Sequence, residues 1–98
     1  MIVSCILRQA QFRISVLALI DSEASVYAFI DEFFAQFHNL SCHQLIYSRR
    51  LREFDDQFAL IEDITHVVEI IMTLKYHIER LFLYVRELKQ YLIVMSLS

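Results

Sequence analysis

From Ile64 onward the apolar residues fall at alternating steps of three and four: Ile64, Val67, Ile71, Leu74, Ile78, Leu81, Val85, Leu88, Leu92 and Met95. Taken alone, this spacing is the seam of a coiled-coil helix. The same stretch is apolar off the seam as well, at Val68, Ile70, Met72, Phe82, Leu83, Tyr84, Ile93 and Val94, whereas a long exposed helix keeps a polar face. Counted in twos, Val68, Ile70, Met72 and Leu74 line one face of a strand, and Leu81, Leu83 and Val85 line one face of another. The β-branched and aromatic enrichment favours this second pattern. It predicts strands over Val67 to Leu74 and Leu81 to Val85, with one continuous helix from Ile64 to Met95 as the rival.

Upstream, Ile14 to Ile20 is a mostly apolar run that stops at Asp21. It reads as a buried strand delivering an acidic residue at its tip. Between Ala28 and Leu40 the period changes, with Phe29, Phe33 and Phe37 at helical spacing and Asp31 and Glu32 placed to favour a helix N-terminus. A short amphipathic helix is expected over Ala28 to His38, its phenylalanine stripe facing the core. Arg49, Arg50 and Arg52 read as a solvated turn.

No residue of the 98 is glycine or proline. Glycine supplies positive φ and proline presets turns, so a globular chain without either is a continuous helix or has lost residues its fold once used. The absence of glycine also excludes phosphate-cradling loops and a nucleophile elbow. Hydrophobic residues make up 57% and charged residues 21%, which is too apolar for disorder and enough for one core. A single domain over residues 1–98 is expected. At this length a monomer buries only about 60–65% of its unfolded surface, so association would help.

The net charge of −3 and pI of about 5.7 give no basic footprint, and nucleic acid is not an expected partner. No apolar run reaches the roughly 18 residues of a spanning helix. The start, Met1 to Leu7, has no basic residues before it and meets Arg8 at once, so neither membrane nor signal peptide is expected. Cys5 and Cys42 are too few for a disulfide framework, which makes a reducing, cytoplasmic setting the default. His38, Cys42 and His43 match no closed zinc spacing. No metal or cofactor is expected.

The run Ala18-Leu19-Ile20-Asp21-Ser22-Glu23-Ala24-Ser25 resembles the hydrophobic-hydrophobic-Asp-Ser/Thr-Gly-Ala/Ser signature of retropepsin-like aspartic proteases, most of all those in the polyproteins of fungal long-terminal-repeat retrotransposons. The likeness continues through Val26 to Ala35 and His38-Asn39-Leu40, which look like the helix after the signature. Phe54-Asp55-Asp56-Gln57 and Asp63-Ile64-Thr65-His66 look like the arms of a flap hairpin. Tyr91 to Ser98 looks like a closing Tyr-Pro-Ile-Val-hydrophobic-Gly-Leu-Pro. The resemblance spans roughly Leu17 to Ser98 and implies a mainly β fold, a retropepsin-like closed barrel half with one short helix. An all-α helical hairpin or bundle is the alternative.

The departures form a pattern. Glu23, Asp56 and Ser96 stand where the family has glycine, and Leu92 and Ser98 where it has proline. Each change is one G-to-A or C-to-T transition away from the family codon, which suggests a transposon copy scarred by transition mutation; Val26, also in place of a glycine, does not fit. The resemblance implies that two subunits each contribute Asp21 to a catalytic dyad, that Ser22 holds the dyad by hydrogen bonds, and that the substrate is a polypeptide. It also implies a homodimer closed by apolar chain ends, here Leu92 to Leu97. Glu23 opposes such a dyad, so a degenerate, inactive aspartic endopeptidase is the expected function. A helical self-associating interaction protein and a non-functional pseudogene product are the alternatives.

Overall fold

The computed structural model describes residues 1–21, 28–52 and 61–95. The order of elements is β1 (Ile2–Gln9), β2 (Phe12–Ile20), β3 (Phe29–Asp31), α1 (Glu32–Phe37), β4 (Cys42–Arg52), β5 (Ile61–Leu74), β6 (His77–Arg86) and β7 (Ile93–Met95). Period two therefore wins over the three-four seam. Val67 to Leu74 lies in β5 and Leu81 to Val85 in β6, paired antiparallel with Val68 opposite Leu83 and Ile70 opposite Leu81. The continuous helix does not form, because most of the off-seam apolar residues would be left in water, whereas the closed sheet buries Val68, Ile70, Met72, Leu83 and Ile93.

Hydrogen-bonded neighbours run β1-β2-β7-β3-β6-β5-β4, and β1 also pairs with β5 through Ile6–Thr73, Leu7–Met72 and Arg8–Ile71. That last pairing closes six strands into a ring. β4 stays outside it, on the part of β5 that precedes the contact with β1. Even-numbered positions of β2 and of β5 from Val68 on, and odd-numbered positions of β1 and of β6 from Leu81 on, face inward. Leu7, Ile30, Ile64, Ile70, Leu83 and Ile93 are the largest fully buried side chains. At about 25 cal/mol per Å² of apolar surface removed from water, this interior is the main favourable term of the fold.

The missing glycines leave a visible mark. Ala10 (φ 51°) and Lys75 (φ 54°) take the first position of the two-residue turns joining β1 to β2 and β5 to β6, a place where hairpins favour glycine. Asn39 (φ 52°) follows the helix C-cap, His38. There its N–H donates to the Gln36 carbonyl at 3.1 Å and the Leu40 N–H to the Ala35 carbonyl at 3.0 Å. This double bond pattern stops a helix with a left-handed residue.

Three expectations are corrected. The helix spans only Glu32–Phe37, not Ala28 to His38, because Phe29–Asp31 is drawn into the ring as β3 between β7 and β6. The phenylalanine stripe is not core either. Phe29 is buried, but Phe33 and Phe37 are 61% and 81% exposed, and the helix instead buries Phe34 and Ala35. Phe34→Ala is therefore expected to lower stability by about 3–4 kcal/mol, and Phe33→Ser by less than about 0.5 kcal/mol. Urea midpoints of the two variants check this; equal losses would contradict the assignment. Arg49, Arg50 and Arg52 lie in β4, paired with Ile64, Asp63 and Ile61, rather than in a turn.

Candidate active site

The strand over Ile14 to Ile20 exists as β2, and Asp21 stands just beyond its last residue. β2 runs parallel to β7, with Ile20 opposite Met95. The Asp21 N–H donates to the Met95 carbonyl at 2.9 Å, so two parallel strands fix the backbone that carries this carboxylate. On the other side, the Ile20 N–H donates to the Met1 carbonyl at 2.7 Å, and the Met1 amino group donates to the Ile20 carbonyl at 3.1 Å. Asp21 is half-buried. Ser22 and Glu23 lie outside the described residues, as do Phe54 to Gln57, Ser96 and Ser98. Leu92 is described; it stands exposed immediately before β7.

The second flap segment, Asp63 to His66, falls in β5. Ile61 to Ile64 pairs with Arg49 to Arg52 of β4, and this part of β5 has no partner in β6, whose pairing starts at Val67. The outer halves of β4 and β5 are thus a two-stranded ribbon projecting from the ring. Where the ribbon leaves it, the register jumps from Gln44–His66 to Arg49–Ile64. Five steps on β4 answer two on β5, so three extra residues bulge out. Ile46, inside the bulge, is 91% exposed. Bulges bend and twist the strand that carries them, which sets the direction of the ribbon.

Asp31, expected only as a charge in the first helical turn, does more. It is buried at the N-cap of α1, and its Oδ2 accepts the Phe34 N–H at 3.1 Å while Oδ1 accepts the Leu88 N–H at 3.0 Å. Its own N–H donates to the Leu92 carbonyl at 2.8 Å. One residue thereby joins β3, the helix and the segment leading into β7, the strand that holds Asp21. The available signal was an Asp three residues before Phe34, the spacing of a capping oxygen and its N–H.

His38, Cys42 and His43 do not form a metal centre; among the described residues no group of three or more His, Cys, Asp or Glu is placed to hold an ion. The His38 ring instead packs among Phe12, Phe34 and Phe37 at centroid distances of 5.1, 4.6 and 4.9 Å. Both cysteines are free. Burial pushes the Cys5 and Cys42 thiols above their ordinary 9.0. Cys42 is an exposed residue, but its Sγ lies back toward the Leu40 carbonyl at 3.5 Å. A cleft of about 680 Å³ lies between β1, β2, α1 and Gln90 to Leu92, and Asp21 does not line it. No helix among the described residues is long and apolar enough to cross a membrane.

A closed six-strand ring with one short helix and a projecting ribbon, bearing an aspartate at the tip of β2, defines a retropepsin-like domain. The chain belongs to the PEG10/RTL1 protease-domain family, whose model matches residues 17–98. No curated protein and no solved structure matches it.

Proposed function

We propose that the chain is one half of a retropepsin-like aspartic endopeptidase of retrotransposon descent, in which Asp21 of two copies would form the dyad and Glu23 leaves it inactive. The position of Asp21 carries this reading. The residue stands at the end of two parallel strands, its main chain fixed through its own N–H, in a domain whose β4–β5 ribbon projects as a flap does. Two carboxylates about 3 Å apart cannot both ionise cheaply, so such a pair shares a proton. One then activates water while the other protonates the carbonyl oxygen of the peptide bond, and Ser22 would tie the two loops together. Glu23 adds a Cβ and a charge beside each Asp21. The dimer is part of the proposal, as is an origin in a transition-scarred copy of the fungal type.

The test is a peptide-cleavage assay at pH 4–6 combined with sedimentation of the same samples at micromolar concentration. The chain as it stands should sediment as a dimer and show no pepstatin-sensitive cleavage. Cleavage that survives Asp21→Asn, or a monomer at every concentration, counts against the reading.

A further inference from the structure

Cross-strand register places three arginines in one row on the outside of the ring. Arg13 of β2 faces Arg8 of β1, Arg8 faces Ile71 of β5, and Ile71 faces Arg80 of β6. Directly paired residues of antiparallel strands project to the same side. All four are exposed, and the inward neighbours Leu7 and Met72 are buried. Neighbouring strands are about 4.8 Å apart, so Arg8 and Arg80 stand roughly 10 Å apart with Ile71 between them. Arg80 Nε reaches Glu69 Oε1 at 3.3 Å, but no carboxylate among the described residues pairs with Arg8 or Arg13. Like charges placed opposite each other across a strand pair are destabilising. Here they sit together on a chain of net charge −3, where carboxylates are more numerous than guanidinium groups.

Apolar surface flanks the row. Ile78 and Phe82, two residues to either side of Arg80 on the same face of β6, are 60% and 58% exposed, and Ile71 is 36% exposed. A shallow groove of about 250 Å³ runs between Arg8 and Arg80. Arg13 stands at the opposite end of β2 from Asp21, roughly 25 Å away along the strand.

We infer that this face is a docking surface for an acidic peptide segment carrying apolar side chains. The guanidinium groups would take carboxylates as bidentate partners, while Ile71, Ile78 and Phe82 cover the aliphatic or aromatic residues between them. Nucleic acid fits less well, because three guanidinium groups with a carboxylate among them on an acidic chain make too small a footprint for a polyphosphate. An anionic bilayer is disfavoured by the same net charge. The surface does not depend on whether Asp21 is catalytic.

The test is fluorescence anisotropy of the full chain with a fluorescein-labelled decapeptide of alternating glutamate and leucine. Saturable binding is expected at about 20 mM salt and should weaken several-fold at about 200 mM. Replacing glutamate by glutamine in the peptide should abolish it, and replacing leucine by serine should weaken it about fivefold. The exposed double substitution Arg8→Gln with Arg80→Gln should weaken binding at least about tenfold, with an unchanged circular-dichroism spectrum showing the fold intact. Equal affinity in that variant, or no saturation below about 1 mM peptide, overturns the proposal. So does tighter arginine-dependent binding of a 20-nucleotide single strand or of phosphatidylserine vesicles, or a loss of self-association in the variant, which would make a second copy the occupant.

Discussion

Restoring glycine at three positions is expected to return proteolytic activity. The triple variant Glu23→Gly, Asp56→Gly, Ser96→Gly should cleave peptides at pH 4–6 at least about 10²-fold above background, the lower end of what positioned acid–base groups supply. The argument begins with charge. Glu23 is two residues from Asp21, so their Cα atoms are no more than about 7 Å apart. A negative charge within that reach of another disfavours it, and the proposed dimer would carry two of them. This repulsion opposes the negative charge that the proposed pair of Asp21 carboxylates must carry to activate water. Sterics act in the same direction, since glycine lets the loop turn tightly and a Cβ does not. Glycine at 56 restores the stronger hairpin former in the flap segment. Recovered cleavage must be blocked by pepstatin and vanish on Asp21→Asn. A triple variant that dimerises yet stays inert removes Asp21 from the catalytic role.

Asp31→Ala is expected to cost about 3 kcal/mol of folding free energy. Two N–H groups, the buried one of Phe34 and the half-buried one of Leu88, depend on this carboxylate. Each would lose its acceptor, and an unsatisfied buried donor costs about 1–3 kcal/mol. Loss of an N-cap accounts for about 1 kcal/mol within that total. Against a typical stability of about 5–15 kcal/mol, this is a large fraction. Asp31→Asn keeps one oxygen acceptor and should lose about half as much. Urea unfolding of both variants decides the matter, and a loss below about 1 kcal/mol for the alanine would mean that water takes over both bonds. The backbone bond from the Asp31 N–H to the Leu92 carbonyl survives both substitutions, so the loss reads the two carboxylate bonds alone.

Period two identified β5 and β6 because their central parts present buried residues at alternate positions, and the apolar run from Ile14 to Ile20 identified β2 and placed Asp21 at its tip. The shorter elements were illegible for separate physical reasons. β3 is three residues long and buried throughout, so no alternation exists to be read. The helix has only six residues, and with so few turns it buries the adjacent pair Phe34 and Ala35 rather than an i, i+4 stripe. β1 alternates, but Met1 to Leu7 looks uniformly apolar because Ile2 and Val3 face different sides of the sheet without differing in chemistry. The arginine run Arg49, Arg50 and Arg52 has the composition of a turn although its backbone pairs with β5. The role of Asp31 depends on Leu88, 57 residues further on, a partner that no local pattern announces.

The left-handed residues at the two hairpin turns bear on how the chain acquires its fold. A non-glycine residue entering that conformation pays roughly 1–2 kcal/mol, and Ala10 and Lys75 must do so before β1 can register with β2 or β5 with β6. Hairpins normally close within about 1–10 μs; a penalty of this size, felt while the turn forms, would slow each closure by about tenfold. The ring cannot close until β1 meets β5 across some 65 residues of sequence, and long-range pairings of this kind are intrinsically slow. During that wait, apolar strands stand with open edges, available to any neighbouring copy. The yield of folded protein is therefore governed by concentration during refolding as much as by the stability of the finished barrel.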